Sequence, residues 1–262
     1  MRRFAGKVAI ISGASAIPGI GHATAARIGR EGGAVVINGR DAAALESAAV
    51  DLRSRGVRVT TVVGSMHDDQ TAAAAVACAR EEFGRIDYVV NTVGGAPHHA
   101  AVDRLPREEL LATLDLNLWP TLLLVQAAIE DLAPGSAIVN ISSGSPHKTT
   151  PTMAAYAASK AALNALTRTM AADLRTRGIR VNAVSPGLTK THGTRSLWER
   201  DDGRWAASNS PLGRMTESDD IAAAAAFLLS DDALAITGVA LDVDGGDHLM
   251  SGGWSPYAPT ET

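Results

Sequence analysis

Tyr156 and Lys160 lie four residues apart in a stretch with helical spacing, and Ser143 lies just past a short run rich in branched apolar residues. Side chains at i and i+4 of a helix project from one face, so the phenol and the ammonium come within mutual reach. Such a pair suits one kind of chemistry. When a carbonyl is reduced, negative charge builds on its oxygen, and a positioned acid must supply a proton there. A tyrosine carries that proton, but its ordinary pKa of ~10 is too high for easy exchange in both directions near neutrality. A neighbouring ammonium favours the ionised phenol and brings it into range. A serine hydroxyl at the same oxygen aligns it and supports the developing charge without attacking. The same residues have an ordinary explanation as well, since Tyr and Lys at this spacing form solvated helix pairs and Ser often terminates strands.

Bringing Ser143 to Tyr156 and Lys160 requires a scaffold. Runs at 8–12, 34–38, 58–63, 86–91, 137–142, 180–185 and 239–243 are short and rich in Val and Ile, and read as strands. Between them, 22–30, 42–55, 71–83, 107–132, 153–177 and 219–229 have helical spacing. Strict alternation demands crossover connections, so the predicted fold is α/β: a Rossmann-type, doubly wound, mostly parallel seven-stranded sheet with helices on both faces. All 262 residues are read as one domain around that sheet. Ligands then bind at the carboxyl ends of the strands, where Ser143 lies. The segment 189–212 has no clear strand and reads as a mobile substrate lid with short helices, and 245–262 as an irregular C-terminal arm. Trp198 and Trp205 either line a substrate pocket or anchor the lid.

The first strand runs into GASAIPGIG, a turn with little side-chain bulk at the start of a helix. Gly13, Gly19 and Gly21 would let a pyrophosphate approach the backbone amides there, although a strand-to-helix turn also needs glycine for steric reasons alone. The second strand ends in VVINGRD. An acidic residue in place of Gly39 would bind an adenosine ribose, and none is present. Arg40 follows, and its forked donors suit a 2'-phosphate, which favours NADP with NAD as the alternative. Asp41 either competes for Arg40 or caps the next helix.

Composition narrows the function classes. Net charge is -4, with no basic field to attract nucleic acid. Cys78 is the sole cysteine, which excludes an intramolecular disulfide and fits a cytoplasmic location. The opening MRRFAGKVAIISG lacks a cleavage pattern and reads as a first strand. The longest uninterrupted apolar stretch, 221–229, falls far below the ~20 residues of a membrane helix, so no membrane span is expected. His98, His99, His147 and His192 lack the spaced carboxylates or cysteines of a zinc site, so no catalytic metal is expected either.

Taken together, GASAIPGIG after the first strand, then NTVGG, NISSG, YAASK and SPG, resemble the short-chain dehydrogenase/reductase family over nearly the whole chain. Ser143, twelve residues, Tyr156, three residues and Lys160 reproduce that family's reactive pattern. The resemblance implies that Asn117, in LDLNLWP, keeps a proton relay beside the lysine. It places Ser15, Gly19, Ile20 and Gly21 at the pyrophosphate, and Asn91 and Gly94 beside the cofactor. Tyr156 and Lys160 also contact the cofactor, Pro186-Gly187 packs on the nicotinamide, and Thr191 sits near its carboxamide. Two departures stand out: five residues rather than three separate Gly13 from Gly19, and Ser65 replaces an aspartate near adenine. The family's assembly implies a homotetramer, or else a homodimer, through 107–132, 153–177 and the terminal strand.

The sequence therefore predicts an NADP-preferring oxidoreductase of a small-molecule carbonyl or alcohol. The alternatives are a dinucleotide-binding sensor or scaffold without turnover, favoured by the longer turn and Ser65, and an adenosyl-group transferase, which gives Ser143, Tyr156 and Lys160 no task. Neither the lid nor 145–152 carries a chemical signature, so the substrate is not read from sequence.

Overall fold

Branched apolar residues pack well on a pleated surface, and the predicted runs form strands for that reason. A computed structural model describes residues 2–148, 150–199, 201–208 and 210–250. Its strands are β1 Val8–Ser12, β2 Ala34–Gly39, β3 Arg58–Val63, β4 Ile86–Asn91, β5 Leu132–Ile141, β6 Arg180–Pro186, β7 Thr189–Lys190, β8 Thr216–Glu217 and β9 Ala240–Val243. The α-helices are α1 Ile20–Arg30, α2 Ala42–Ser54, α3 Asp69–Phe83, α4 Arg107–Ala128, α5 Ala154–Asp173, α6 Arg195–Trp198, α7 Arg204–Ser208 and α8 Ser218–Leu229.

Seven strands form one sheet in the order β3-β2-β1-β4-β5-β6-β9, with every neighbouring pair parallel. Period-two alternation divides their side chains between two cores. Ala9, Ile11, Val35, Ile37 and Val139 face one side, with apolar residues of α1, α2 and α8. Val8, Ile10, Val36, Val89 and Ile138 face the other, with residues of α3, α4 and α5. This is the doubly wound α/β architecture expected from the sequence. Each fully buried Ile or Val contributes about 2 kcal/mol of transfer free energy, which holds both helical layers to the sheet.

The strand order reverses at β1, which pairs with β2 on one side and β4 on the other. The connections leaving β1 and β4 therefore diverge to opposite faces and open a crevice at their carboxyl ends.

Three expectations need correction. The segment 189–212 contains a strand: β7 pairs with β8 through Thr189–Thr216 and Lys190–Glu217, so a second, two-stranded sheet clips the base of the excursion. Between them stand α6 and α7 with a short 3-10 turn at His192–Thr194. The predicted helix at 107–132 ends as an α-helix at Ala128, and Leu132 already belongs to β5. Finally, α4 and the turn after it, Arg107–Asp131, are long and apolar enough to cross a membrane by length and composition. Interspersed polar residues hid this from a search for unbroken apolar runs. In the fold, α4 packs against α3, α5 and β4. Of the predicted arm, Asp247–Leu249 form a 3-10 turn, and 251–262 lie outside the described residues.

Candidate active site

Gly13 follows β1 in the left-handed region, at φ 68°. A methyl there would sit 2.8 Å from Thr92 Oγ1, and one at Gly21 would sit 2.8 Å from the Gly13 carbonyl and 2.9 Å from Thr92 Oγ1. Thr92 also donates from its hydroxyl to the carbonyls of Ser12 and Gly13. Side-chain bulk is thus excluded on both sides of the turn. Gly19 is the N-cap of α1 and no side chain caps that helix, so its first amides face the crevice with Ile20 at their head. A helix start of this kind attracts an anionic group.

Ser15 lies against the end of β2. A methyl on Gly39 would approach Ser15 Cβ to 2.8 Å and Oγ to 2.9 Å, so that position cannot hold an acidic side chain unless Ser15 moves. Arg40 is exposed. Asp41 caps α2 by accepting from the Ala43 and Ala44 amides at 2.9 and 3.0 Å, which decides between its two expected roles. Asn38 donates to the Val62 and Gly64 carbonyls, fastening β2 to β3. Ser65 accepts from the His67 amide in the turn beyond β3.

The longer glycine turn reaches across the crevice. The His192 amide donates to the Pro18 carbonyl at 2.7 Å. Next to it, Thr191 and Thr194 form a reciprocal cap on the 3-10 turn, and the Trp198 indole donates to the Thr191 carbonyl at 3.1 Å. Trp198 is thus held within the segment 189–212, with Lys190 over its ring. Trp205 is exposed. Pro186 accepts from the Gly144 amide at 2.8 Å, and a methyl on Gly187 would meet Asp244 Cβ at 2.7 Å.

Ser143 follows β5, while Tyr156 and Lys160 stand one turn apart on α5, which packs across β6. The Lys160 side chain is 3% exposed and its Nζ donates to the Ile141 carbonyl at 2.9 Å. Nζ also lies 5.8 Å from the centre of the Tyr156 ring. Burial pushes the Lys160 ammonium down to about 8. Burial also raises the Tyr156 phenol above its ordinary value, opposed by a hydrogen bond with Ser143. Ser143 Oγ in turn lies 3.0 Å from Ser145 Oγ.

Asn117, fully buried on α4, belongs to the same cluster. A methyl on Gly94, just after β4, would meet Asn117 Oδ1 at 2.5 Å and Lys160 Nζ at 3.0 Å. Asn91 lies deeper, donating to Asn140 Oδ1, which hands the chain on to Thr167. Its side chain therefore ties β4 to β5, while its backbone ends the strand at the crevice. Of the histidines, His98 and His147 each face one carboxylate at 3.8 Å, Glu109 and Asp242 respectively.

Thr92 and Ser145 escaped the sequence reading. Both stand within motifs that were singled out, NTVGG and NISSG with its following residue, but hydroxyl residues are too common in turns to be distinguished without their placed partners, Ser12 and Gly13 for Thr92 and Ser143 for Ser145.

Known proteins match this chain over most of its length. A family model described as enoyl-(acyl carrier protein) reductase covers residues 13–248. An uncharacterised oxidoreductase of Methylorubrum extorquens is 38% identical over 94% of this chain and 99% of its own length. An L-rhamnose 1-dehydrogenase (NAD(P)(+)) of a Sphingomonas species is 34% identical over 95% of this chain and 99% of its own. The chain belongs to the short-chain dehydrogenase/reductase family. A member of known structure, from Burkholderia cenocepacia in complex with NADP, superposes with a TM-score of 0.84 at 32% identity, covering 94% of this chain and 99% of that one. Membership makes this protein an oxidoreductase of a family that uses NAD(P).

Proposed function

We propose that the chain transfers a hydride between NADP and a carbonyl or secondary alcohol of a small molecule, with Tyr156 as general acid and base. The observation that carries this reading is the convergence of Tyr156, Lys160 and Ser143 at the carboxyl end of the sheet, beside a helix start that no side chain caps. The residues fit a dinucleotide. Gly13, Gly19, Ile20 and Gly21 make a turn without side-chain bulk at the uncapped start of α1, where backbone amides would hold a pyrophosphate, and a side chain at Gly13 or Gly21 would displace Thr92 or the backbone of the turn. Ser15 and exposed Arg40 fit a 2'-phosphate, and the crowding of Gly39 by Ser15 leaves no room for the carboxylate that would select a bare ribose. The Burkholderia structure holding NADP supports this choice, while the relative from Sphingomonas is named for both cofactors.

When bound, the nicotinamide supplies or accepts the hydride at the substrate carbon. In reduction, the Tyr156 phenol gives its proton to the carbonyl oxygen, and in oxidation the phenolate takes it back. Lys160, with its pKa near 8, remains mostly charged at neutrality and favours the phenolate. Ser143 donates to the same oxygen and holds it in line. Asn117 fixes the loop at Gly94 and Gly95 over the ammonium and so holds the surroundings of Lys160. Asn91 and Gly94 would border the cofactor by their backbones, and Pro186, Gly187 and Thr191 would hold its nicotinamide end.

The test is consumption of NADPH with a panel of simple ketones by the wild type and Tyr156→Phe. A loss of about two orders of magnitude or more in kcat, with NADPH binding retained, is expected from removal of the proton donor. Equal turnover by both proteins would overturn the mechanism, and tight NADPH binding without turnover of any ketone would favour a sensor. The exposed Leu111 and Trp119 on α4 and the place of β9 at the edge of the sheet among the described residues support a homotetramer, with a homodimer as the smaller assembly, to be read from the mass in solution. A cytoplasmic location accords with the lone Cys78.

A further inference from the structure

The loop from Ser143 into the turn before α5 is pinned. The Gly144 amide donates to the Pro186 carbonyl, and the amides of His147 and Lys148 both donate back to Gly144. This fold of the chain sets Ser145 against the candidate catalytic serine. The Ser145 amide donates to Ser143 Oγ at 3.1 Å, and the two hydroxyl oxygens are 3.0 Å apart. Ser145 is half-buried and also lines a cavity of about 640 Å³, whose other walls include Ala101, Val102, Pro146 and Met153.

A serine hydroxyl offers two acceptor lone pairs and one proton. On Ser143 one lone pair is filled by the Ser145 amide. The second lone pair and the proton are shared among the Ser145 hydroxyl, the Tyr156 phenol and the substrate. We propose that Ser145 is a positioning residue whose hydroxyl donates to Ser143 Oγ, fills its second lone pair, and thereby commits the Ser143 proton to Tyr156 and the substrate oxygen. The inference rests on the roles assigned above to Ser143 and Tyr156. With both lone pairs filled, Ser143 is a donor only. It then supports the phenolate and the oxygen of the reacting carbonyl, the two places where negative charge develops. Ser143 lowers the Tyr156 phenol against the effect of burial, which is what a hydroxyl turned toward that oxygen does.

The experiment titrates Tyr156 in the purified protein by ultraviolet difference spectroscopy, with Tyr156→Phe identifying its contribution among the three tyrosines. No substrate is needed, so the result stands apart from any failure of the turnover assay. Ser145→Ala is expected to raise the Tyr156 midpoint by about one pH unit, because the Ser143 proton is freed to turn away. Ser145→Thr, which keeps the hydroxyl, is expected to retain the wild-type midpoint. In a Ser143→Ala background, removal of the Ser145 hydroxyl is expected to shift nothing further. With NADPH and ethyl acetoacetate, Ser145→Ala should lower kcat about tenfold and leave KM for NADPH in place. An unchanged midpoint in Ser145→Ala, a midpoint that falls, or an equal shift without Ser143 would each overturn the proposal. Should the alanine variant fail to bind NADPH, Ser145→Cys supplies the same comparison, because a thiol of similar size is a weak donor.

Discussion

The amide group of Asn117 and the backbone of Gly95 exchange two hydrogen bonds, Nδ2 to the Gly95 carbonyl at 2.9 Å and the Gly95 amide to Oδ1 at 3.0 Å. Nδ2 also donates to the Thr113 carbonyl at 2.9 Å, within α4 itself. Only a side chain with two donors and an acceptor meets all three demands. Asn117→Leu keeps the size and leaves the Gly95 amide and carbonyl without these partners. It is expected to cost about 2 kcal/mol or more, read from the urea midpoint. Because the freed loop carries Gly94 away from Lys160, kcat should fall further than NADPH affinity. Unchanged kcat would mean that the clamp serves the fold alone.

Gly94 tests the same cluster from the crevice side. Lys160 has some freedom to retreat from a methyl at Gly94, but Asn117 does not, being held at three points. Gly94→Ala should therefore displace the loop and lengthen the path from the ammonium to the phenol. A loss of about tenfold in kcat or more, with secondary structure unchanged by circular dichroism, is expected. Full activity would show that the loop yields without affecting the lysine.

Burial of Lys160 has a consequence for stability. The folded chain releases this proton near pH 8, whereas an exposed lysine holds it to about 10.5. Between those values the unfolded state binds more protons, so this residue makes stability rise with pH across that window. By ~1.4 kcal/mol per pKa unit the full effect is at most about 3 kcal/mol. Lys160→Met should remove it: urea midpoints of the wild type and the variant, measured from pH 8 to 10.5, are expected to diverge in favour of the wild type. Parallel profiles would mean that the ammonium is solvated in the folded protein.

The proposed role of Tyr156 sets the expected pH dependence of catalysis. Reduction needs the phenol and oxidation the phenolate, so kcat for reduction should fall, and kcat for oxidation rise, through one common ionisation. Burial raises that ionisation above the ordinary phenol value in the absence of cofactor. Lys160→Met should move it still higher, since the opposite charge is lost. Separate midpoints for the two directions would assign the proton to another group.

How far the sequence could be read follows from the range of the interactions involved. Alternating Val and Ile runs, such as 34–38 and 58–63, mark the sheet because each strand answers a local period of two. The placement of Ser143 past a strand, and of Tyr156 and Lys160 one turn apart on a helix, was legible because strand ends and helix spacing are local too. The role of Asp41 was not, since a carboxylate next to both Arg40 and a helix start satisfies either partner, and only the placed amides of Ala43 and Ala44 decide. Thr92 and Ser145 matter through partners 80 and 2 residues away, respectively. The role of Thr92 is invisible without the fold, and Ser145 is indistinguishable in sequence from any other turn serine. The strands β7 and β8 are two residues each, too short for any periodicity to register.

Cofactor choice can be separated into its parts. Arg40→Ala should raise KM for NADP by about tenfold to a hundredfold and leave KM for NAD nearly unchanged, because a charge-assisted pair to the 2'-phosphate is worth about 1.5–3 kcal/mol. Gly39→Asp alone should impair both cofactors, since the new side chain meets Ser15. Combined with Ser15→Gly, the aspartate gains room and should turn the preference toward NAD. If Arg40→Ala affected both cofactors equally, the guanidinium would be acting on the shared part of the dinucleotide.

The hydrogen bond from the His192 amide to the Pro18 carbonyl depends on the length of the glycine turn. Deleting Ile17 and Pro18 leaves three residues between Gly13 and Gly19, the spacing usual in this family, and removes the acceptor. Gly13, Gly21 and Thr92, which shape the base of the turn, are untouched. The shortened chain should therefore still bind NADPH. What it loses is a tie between the turn and the first residues of the lid, whose base remains clipped by β7 and β8. Hydrogen exchange at the His192 amide should accelerate, and NADPH should dissociate about tenfold faster, the equivalent of one lost hydrogen bond across the crevice. Faster exchange with unchanged dissociation would show that this contact does not retain the cofactor. Unchanged exchange would show that the contact is replaced by another acceptor, so the extra length would have no mechanical role in closing the lid.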